Sequence, residues 1–241
     1  AMYDLLRHVY TDVILQKGRV RDEDQALINM VDRAANYPAI LLADRGYESY
    51  NVFAHIQEKG WRYLIRIKDY EANVGITQGL DLPDQDEYDV PIHLLVTRSQ
   101  TKEAKKLAAD RNKYKIFYNN QKLDYLPSKV SASDPLKFYS FSFRVVRFKI
   151  SDTAYETVIT NLDQNSFPPK SLKQLYAMRW GIETSFRHLK HTIGLLHFHA
   201  KKAEYIKQEI RARMILYNFC EIITAYITVS DKKCGQPFSA G

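Results

Sequence analysis

A single glutamate, Glu183, lies among cations on a stretch with helical periodicity, residues 171–194 (SLKQLYAMRWGIETSFRHLKHTIG). At about 100° per residue, Tyr176, Arg179, Glu183, Arg187 and Lys190 fall within roughly 40° of one line. Leu175, Ile182, Phe186, Leu189 and Ile193 form an apolar stripe roughly 90° away, with Met178 at its margin. An acid flanked by bases on one helical face is either a solvated surface closed by i,i+4 pairs, or a place where cations fix a phosphate beside a metal-binding carboxylate. A second acid, Asp44, follows the unbroken apolar run AILLA at 39–43 and precedes Arg45-Gly46-Tyr47. Open α/β sheets take their ligands outside the carboxyl ends of their strands, which is where Asp44 falls. It is either such a ligand-facing acid or an ion-paired, turn-forming aspartate. Two carboxylates brought to one sheet edge suit a hard divalent cation, and Mg²⁺ held there activates water or a 3′-hydroxyl.

The elements around these residues read as α/β. Residues 2–10 and 11–16 are rich in β-formers and predict a strand pair, ended by Gly18. Residues 22–35 open with acids and space Leu27, Ile28, Val31 and Ala35 as a helix, which Pro38 stops. The run at 39–43 predicts a strand buried on both faces. Residues 49–59 follow as a helix with Ser49 as N-cap and Gly60 as its stop, and 61–67 (WRYLIRI) as the next strand, a βαβ unit. From about 68 to 170 the texture is strand-rich. Strands are expected at 90–97, 115–118, 138–150 and 155–160, with one short helix at 101–111. In the third, Tyr139, Phe141 and Phe143 share a face and Ser140 and Ser142 the other. Pro168-Pro169 closes this block, with Ser171 as the expected cap of the helix bearing Glu183. A last helix is expected over 203–228, with Ile206, Ile210, Met214, Tyr217 and Ile222 packing, and a frayed tail after Ser230.

The charge is concentrated. The 241 residues carry a formal net charge of +7, and residues 170–213 hold ten Lys/Arg against three Asp/Glu, leaving 25 of each sign elsewhere. That is the distribution a nucleic-acid-binding surface requires. Cys220 and Cys234 have no metal-ligand spacing and read as reduced thiols. No apolar run approaches the about 18 residues needed to cross a membrane. His197 and His199 share the parity of a strand face but lack further ligands, so a surface or DNA-facing pair is expected, and Trp61 and Trp180 read as packing residues. There is no Gly-rich phosphate loop, serine nucleophile elbow or Cys/His dyad.

The spacing Tyr176-x2-Arg179-x3-Glu183-x6-Lys190 resembles the Tyr-Arg-Glu-Lys signature of bacterial DDE transposases of the insertion-sequence four family. AILLADRGY around Asp44 resembles that family's second catalytic aspartate, and Thr160-Asn161-Leu162 the strand before the signature helix. The resemblance implies a ribonuclease-H-like core, truncated at its N-terminus, with a β-rich insertion before the Glu-bearing helix. Residues 1–68 would be the first part of the core, 69–169 the insertion, and 170–241 the Glu-bearing helix and C-terminal helix. It also implies that Asp44 and Glu183 are two of three metal-binding acids for Mg²⁺, with Mn²⁺ able to substitute. Arg179 and Lys190 would hold phosphates, and Tyr176 would support the same strand. Arg187 is expected as an extra phosphate contact, and Arg45 as either a DNA contact or a structural ion pair.

The implied activity is metal-dependent hydrolysis and strand transfer at transposon ends. The implied partners are double-stranded DNA of transposon ends and target, no membrane, and a homodimer on DNA, in the cytoplasm of a bacterium at its nucleoid. The family's first aspartate belongs upstream of the opening strand pair, and neither Asp4 nor Asp12 takes its place. Ala1 reads as a cloning remnant, and the chain alone is expected to be inactive. Two rivals stay open: a catalytically inactive DNA-binding protein derived from a transposase, and a related nuclease that does not join strands.

Overall fold

The computed structural model describes residues 1–19, 21–68, 75–118, 120–127, 136–195 and 197–226. The chain forms two compact units, one of residues 14–179 and one of residues 1–13 with 180–241.

The larger unit is built on a six-stranded mixed sheet. Its strands are β3 (Ile40–Ala43), β4 (Arg62–Arg66), β5 (Tyr88–Thr97), β6 (Tyr114–Ile116), β7 (Phe138–Ser151) and β8 (Ala154–Thr160). Their order is β3-β4-β8-β7-β5-β6, with β3 parallel to β4, β5 parallel to β6, and the other pairs antiparallel. The strands of the block at 68–170 therefore continue the same sheet as β3 and β4. The expected alternation in β7 is present, with Phe141 and Phe143 buried and Ser140 and Ser142 exposed.

One expectation about β3 is corrected. It is an edge strand, half-exposed rather than buried on both faces, with Ile40 38% accessible. An apolar run gives no information about strand order, which is set by non-local pairing.

Helix α1 (Glu23–Arg33) is capped by Asp22, whose carboxylate accepts from Gln25 N at 2.9 Å. Helix α2 (Tyr50–Glu58) ends at Gly60, φ +74°, where Trp61 N reaches back to Ile56 O at 3.0 Å and turns the chain into β4. Alternation along β4 covers both of its faces. Tyr63 stacks on Phe53 of α2 with ring centroids 4.9 Å apart. Leu64 joins Val146, Phe148 and Val158 in a second core, completed by Leu172 and Tyr176. Each such fully buried side chain contributes about 2 kcal/mol. After β8, the Asn161 side chain accepts from Tyr63 N (2.8 Å) and donates to Trp61 O (3.3 Å), extending the pairing with β4. Helix α3 (Lys102–Leu107), capped by Thr101, is shorter than the 101–111 expected.

The stretch 171–194 is not one helix. Helix α4 (Pro169–Ala177) starts with Pro168 as N-cap and Pro169 in its first turn, so Ser171 lies inside it and is not the cap. Met178 N and Arg179 N close on Leu175 O and Tyr176 O, three residues back, and helix α5 (Trp180–His191) begins afterwards. The apolar stripe is divided with it: Leu175 packs in the sheet core, whereas Phe186, Leu189 and Ile193 belong to the core of the smaller unit.

That smaller unit holds the antiparallel pair β1 (Met2–Asp4) and β2 (Val9–Asp12), helix α5 and helix α6 (Ala203–Ala225). The pair turns at residues 5–8, inside the first expected run, and ends at Asp12 rather than near Gln16. Tyr10, Leu189, Met214 and Tyr217 form the core. Tyr10 Oη lies 2.7 Å from Ser185 Oγ, and its backbone pairs with the Asn218 amide. A Cβ on Gly181 would come 2.8 Å from Leu5 Cδ2, a close approach that glycine permits at the start of α5. Of the expected packing positions on α6, Ile222 is exposed instead. Its expected end at 228 and the tail after Ser230 lie outside the described residues.

Candidate functional site

Strand β3 delivers Asp44 to its carboxyl end. Extended there, Asp44 caps a 3-10 turn, Arg45–Tyr47, and its Oδ1 accepts from Arg45 N at 2.7 Å. The next acid, Glu48, accepts from Lys68 N (2.9 Å) and Ile76 N (2.5 Å), so one side chain ties the exit of β3 to the segment after β4. Glu48 carried no motif and was not foreseen.

Helix α4 brings Tyr176 to the same corner. Its ring is buried in the sheet core, and the Arg179 guanidinium lies over it, 5.5 Å from the centroid. Burial pushes the Tyr176 phenol up to about 12; the Asp44 and Glu156 charges add to this, and Arg179 and Arg66 oppose it. Tyr176 is thus within reach of the charges of Asp44, Arg179, Arg66 at the end of β4 and Glu156 near the start of β8. The hydroxyl is buried and has no hydrogen-bond partner among the described residues. Arg66 was findable, because the rule that singled out Asp44 applies equally to the end of the neighbouring parallel strand. Nothing local marks Glu156.

Arg45 is exposed on its turn. Glu183 is in the first turn of α5, in the smaller unit, with Arg187 and Lys190 exposed four and seven residues on. The stripe drawn across five residues is therefore corrected: Tyr176 and Arg179 precede the break, and only Glu183, Arg187 and Lys190 share one helix. Ser185 and Leu189 fix the roll of that helix through Tyr10 and the small core.

The histidine pair lies on a segment held to α6. His199 N bonds Glu209, and Arg213 donates to His197 O at 2.5 Å with its guanidinium 5.8 Å from the Phe198 ring. Trp61 is buried as expected, whereas Trp180 is 59% exposed. Cys220 is exposed, and Cys234 lies outside the described residues.

Carboxylate oxygens are the right donors for a hard divalent cation, and Asp44 offers one at a strand end. Among the described residues no group of three or more His, Cys, Asp or Glu is placed to hold a metal ion, so the donors fit in kind but do not make a complete ligand set.

Residues 1–219 match the family described as Transposase DDE domain. The chain belongs to the transposase DDE domain family. That family acts on DNA in transposition and recombination, with transposase-type nuclease activity that generally uses a divalent metal. No curated protein matched the chain. Among the described residues no helix is long and apolar enough to cross a membrane.

Proposed function

We propose that the chain is the catalytic domain of a cut-and-paste transposase of the insertion-sequence four family, cleaving transposon ends and transferring the freed strands to target DNA. The observation that carries this reading is the buried Tyr176, with the Arg179 guanidinium over its ring and the Asp44 charge within reach, in a chain whose residues 1–219 match a transposase DDE domain. Residues 1–68 and 170–241 are parts of a ribonuclease-H-like core, with 69–169 inserted. Asp44 and Glu183 are two of three acids for Mg²⁺, or Mn²⁺ in its place, which when bound supplies an activated water or 3′-hydroxyl. Tyr176, Arg179, Lys190 and Arg187 hold phosphates of the end, and Arg45 reaches DNA from the turn beside Asp44. The protein works as a homodimer on paired ends, at the nucleoid of a bacterium.

Two variants test the roles of the acids. Mn²⁺ binding to the chain on duplex DNA, read by electron paramagnetic resonance, should weaken in both Asp44→Asn and Glu183→Gln; unchanged binding in both would sink the assignment.

A second reading, a DNA-binding protein without chemistry, draws on the basic excess between residues 170 and 213, which binds phosphate backbone whether or not a metal is held. Plasmid DNA with Mg²⁺ separates them. Joined strands establish a transposase, nicks without joining a nuclease, and salt-dependent binding alone the binder.

A further inference from the structure

The pair Arg66–Glu156 differs from the Arg144–Asp89 pair of the same sheet. Arg144 is buried and fully engaged, donating to Asp89 at 2.7 Å, to Leu162 O at 3.0 Å and to Phe167 O at 2.9 Å. Arg66 meets Glu156 at 3.4 Å, with side chains 29% and 16% accessible. A partly exposed pair at that distance contributes at most about 1 kcal/mol. It is exchangeable in a way that the Arg144 clamp is not.

Strand parity places the pair. Arg66 lies opposite Val158 in the β4–β8 ladder, and Glu156 lies opposite Phe148 in the β8–β7 ladder. Leu64, Val158 and Phe148 all belong to the core beneath α4. Positions two apart share a face, so Arg66 and Glu156 both lie on the α4 side of the sheet. Tyr176 comes down on that side, its hydroxyl nine-tenths buried and without a hydrogen-bond partner among the described residues, with Arg179 over its ring. A donor hydroxyl and two guanidinium groups collect at one corner, and the carboxylate at Arg66 occupies the position of an anion. A phosphate diester is the stronger occupant, because guanidinium meets its oxygens in a two-point, charge-assisted geometry.

We propose that Glu156 is an internal competitor for the DNA backbone: it holds Arg66 in the DNA-free protein and yields it to a phosphate when duplex DNA binds. This rests on the transposase reading above, and it adds Arg66 as a phosphate contact and Glu156 as the residue that sets how readily that contact is made. The carboxylate holds Arg66 at the corner, and any phosphate must displace it, so backbone of every sequence is held less tightly than Arg66 alone would hold it.

The test is a double-mutant cycle in the 241-residue chain, with affinity for a short mixed-sequence duplex read by fluorescence anisotropy and folding checked by thermal melts. Glu156→Gln should bind about three- to five-fold tighter at low salt. Arg66→Ala should bind more weakly, and Glu156→Gln should add nothing in the Arg66→Ala background. Unchanged or weaker binding by Glu156→Gln overturns the proposal. So does an equal gain with and without Arg66, which would make Glu156 a general repulsive charge. Glu156→Asp, which keeps the charge but shortens its reach, carries the same comparison if Glu156→Gln folds poorly. Salt-dependent binding by the wild-type chain separates the two failures: without it the transposase reading falls, and with it only this inference is at stake.

Discussion

At the scale of single residues, Tyr176 separates stability from function. Its hydroxyl is buried without a hydrogen-bond partner among the described residues, and burial beside Asp44 keeps it protonated, with a pKa pushed up to about 12. A buried donor with no acceptor costs folding free energy, whereas the same donor facing a phosphate gains a charge-assisted bond. Tyr176→Phe should therefore melt at the wild-type temperature or slightly above it, a gain of up to about 1 kcal/mol. It should also lose about five-fold in DNA affinity. A variant that loses both together would show that the hydroxyl is structural. Asp24 gives a prediction of opposite kind. Burial raises its carboxyl above the ordinary 3.8; its bond to Ser49 opposes this and Asp22 and Glu23 add to it. The folded state then holds the proton more tightly than the unfolded chain. Stability falls as pH rises from below 3.8 through the raised value, and is level above it. Asp24→Asn should flatten the melting profile in that acid window and melt higher than wild type at neutral pH; identical profiles would refute the assignment.

At the scale of elements, the launch of α4 decides where Tyr176 and Arg179 stand. Arg144 grips the loop before that helix through Leu162 O and Phe167 O while pairing with Asp89. Arg144→Ala leaves two carbonyls without their donor and the Asp89 carboxylate with only the Gln164 amide at 3.2 Å, and breaking a buried pair in this way costs about 3 kcal/mol. The variant should melt well below wild type. Asp89, whose carboxyl burial already raises despite Arg144, should tolerate Asn with a smaller loss, and equal losses would place the work in the ion pair rather than in the loop. The elements also show what local reading reaches. Asp22 and Gly60 bound their helices as read, and β3 stops at Ala43 before Asp44, because caps, left-handed glycines and apolar runs are short-range signals. The break at Met178–Arg179 was not legible. Apolar residues keep helical spacing straight through it, although Leu175 serves one core and Phe186 and Leu189 another. Tertiary packing, not periodicity, divides the helix. Arg66 and Glu156 meet only through the β4–β8 pairing, which no local pattern announces.

At the scale of the whole molecule, the charge distribution predicts a measurable law. Ten of the 35 Lys/Arg lie between residues 170 and 213 with three acids, and the rest of the chain is balanced. A chain of uniform charge would lose affinity in small, equal steps as bases are removed anywhere. This one should depend on a few. Each phosphate neutralised releases condensed counterions and steepens the plot of log affinity against log salt by roughly 0.9 on duplex DNA. Arg179, Arg187 and Lys190 are the bases assigned to phosphates in this segment, so replacing all three with Ala should reduce the slope by about 2.5 to 3. Three exposed lysines outside it, Lys102, Lys105 and Lys106 on α3, provide the control at equal loss of charge. If the α3 variant lowers the slope as much, attraction by net charge alone accounts for DNA binding and the assigned contacts fail. If only the first variant does, the excess between 170 and 213 is a contact surface, and the residues that carry the signature also grip the backbone.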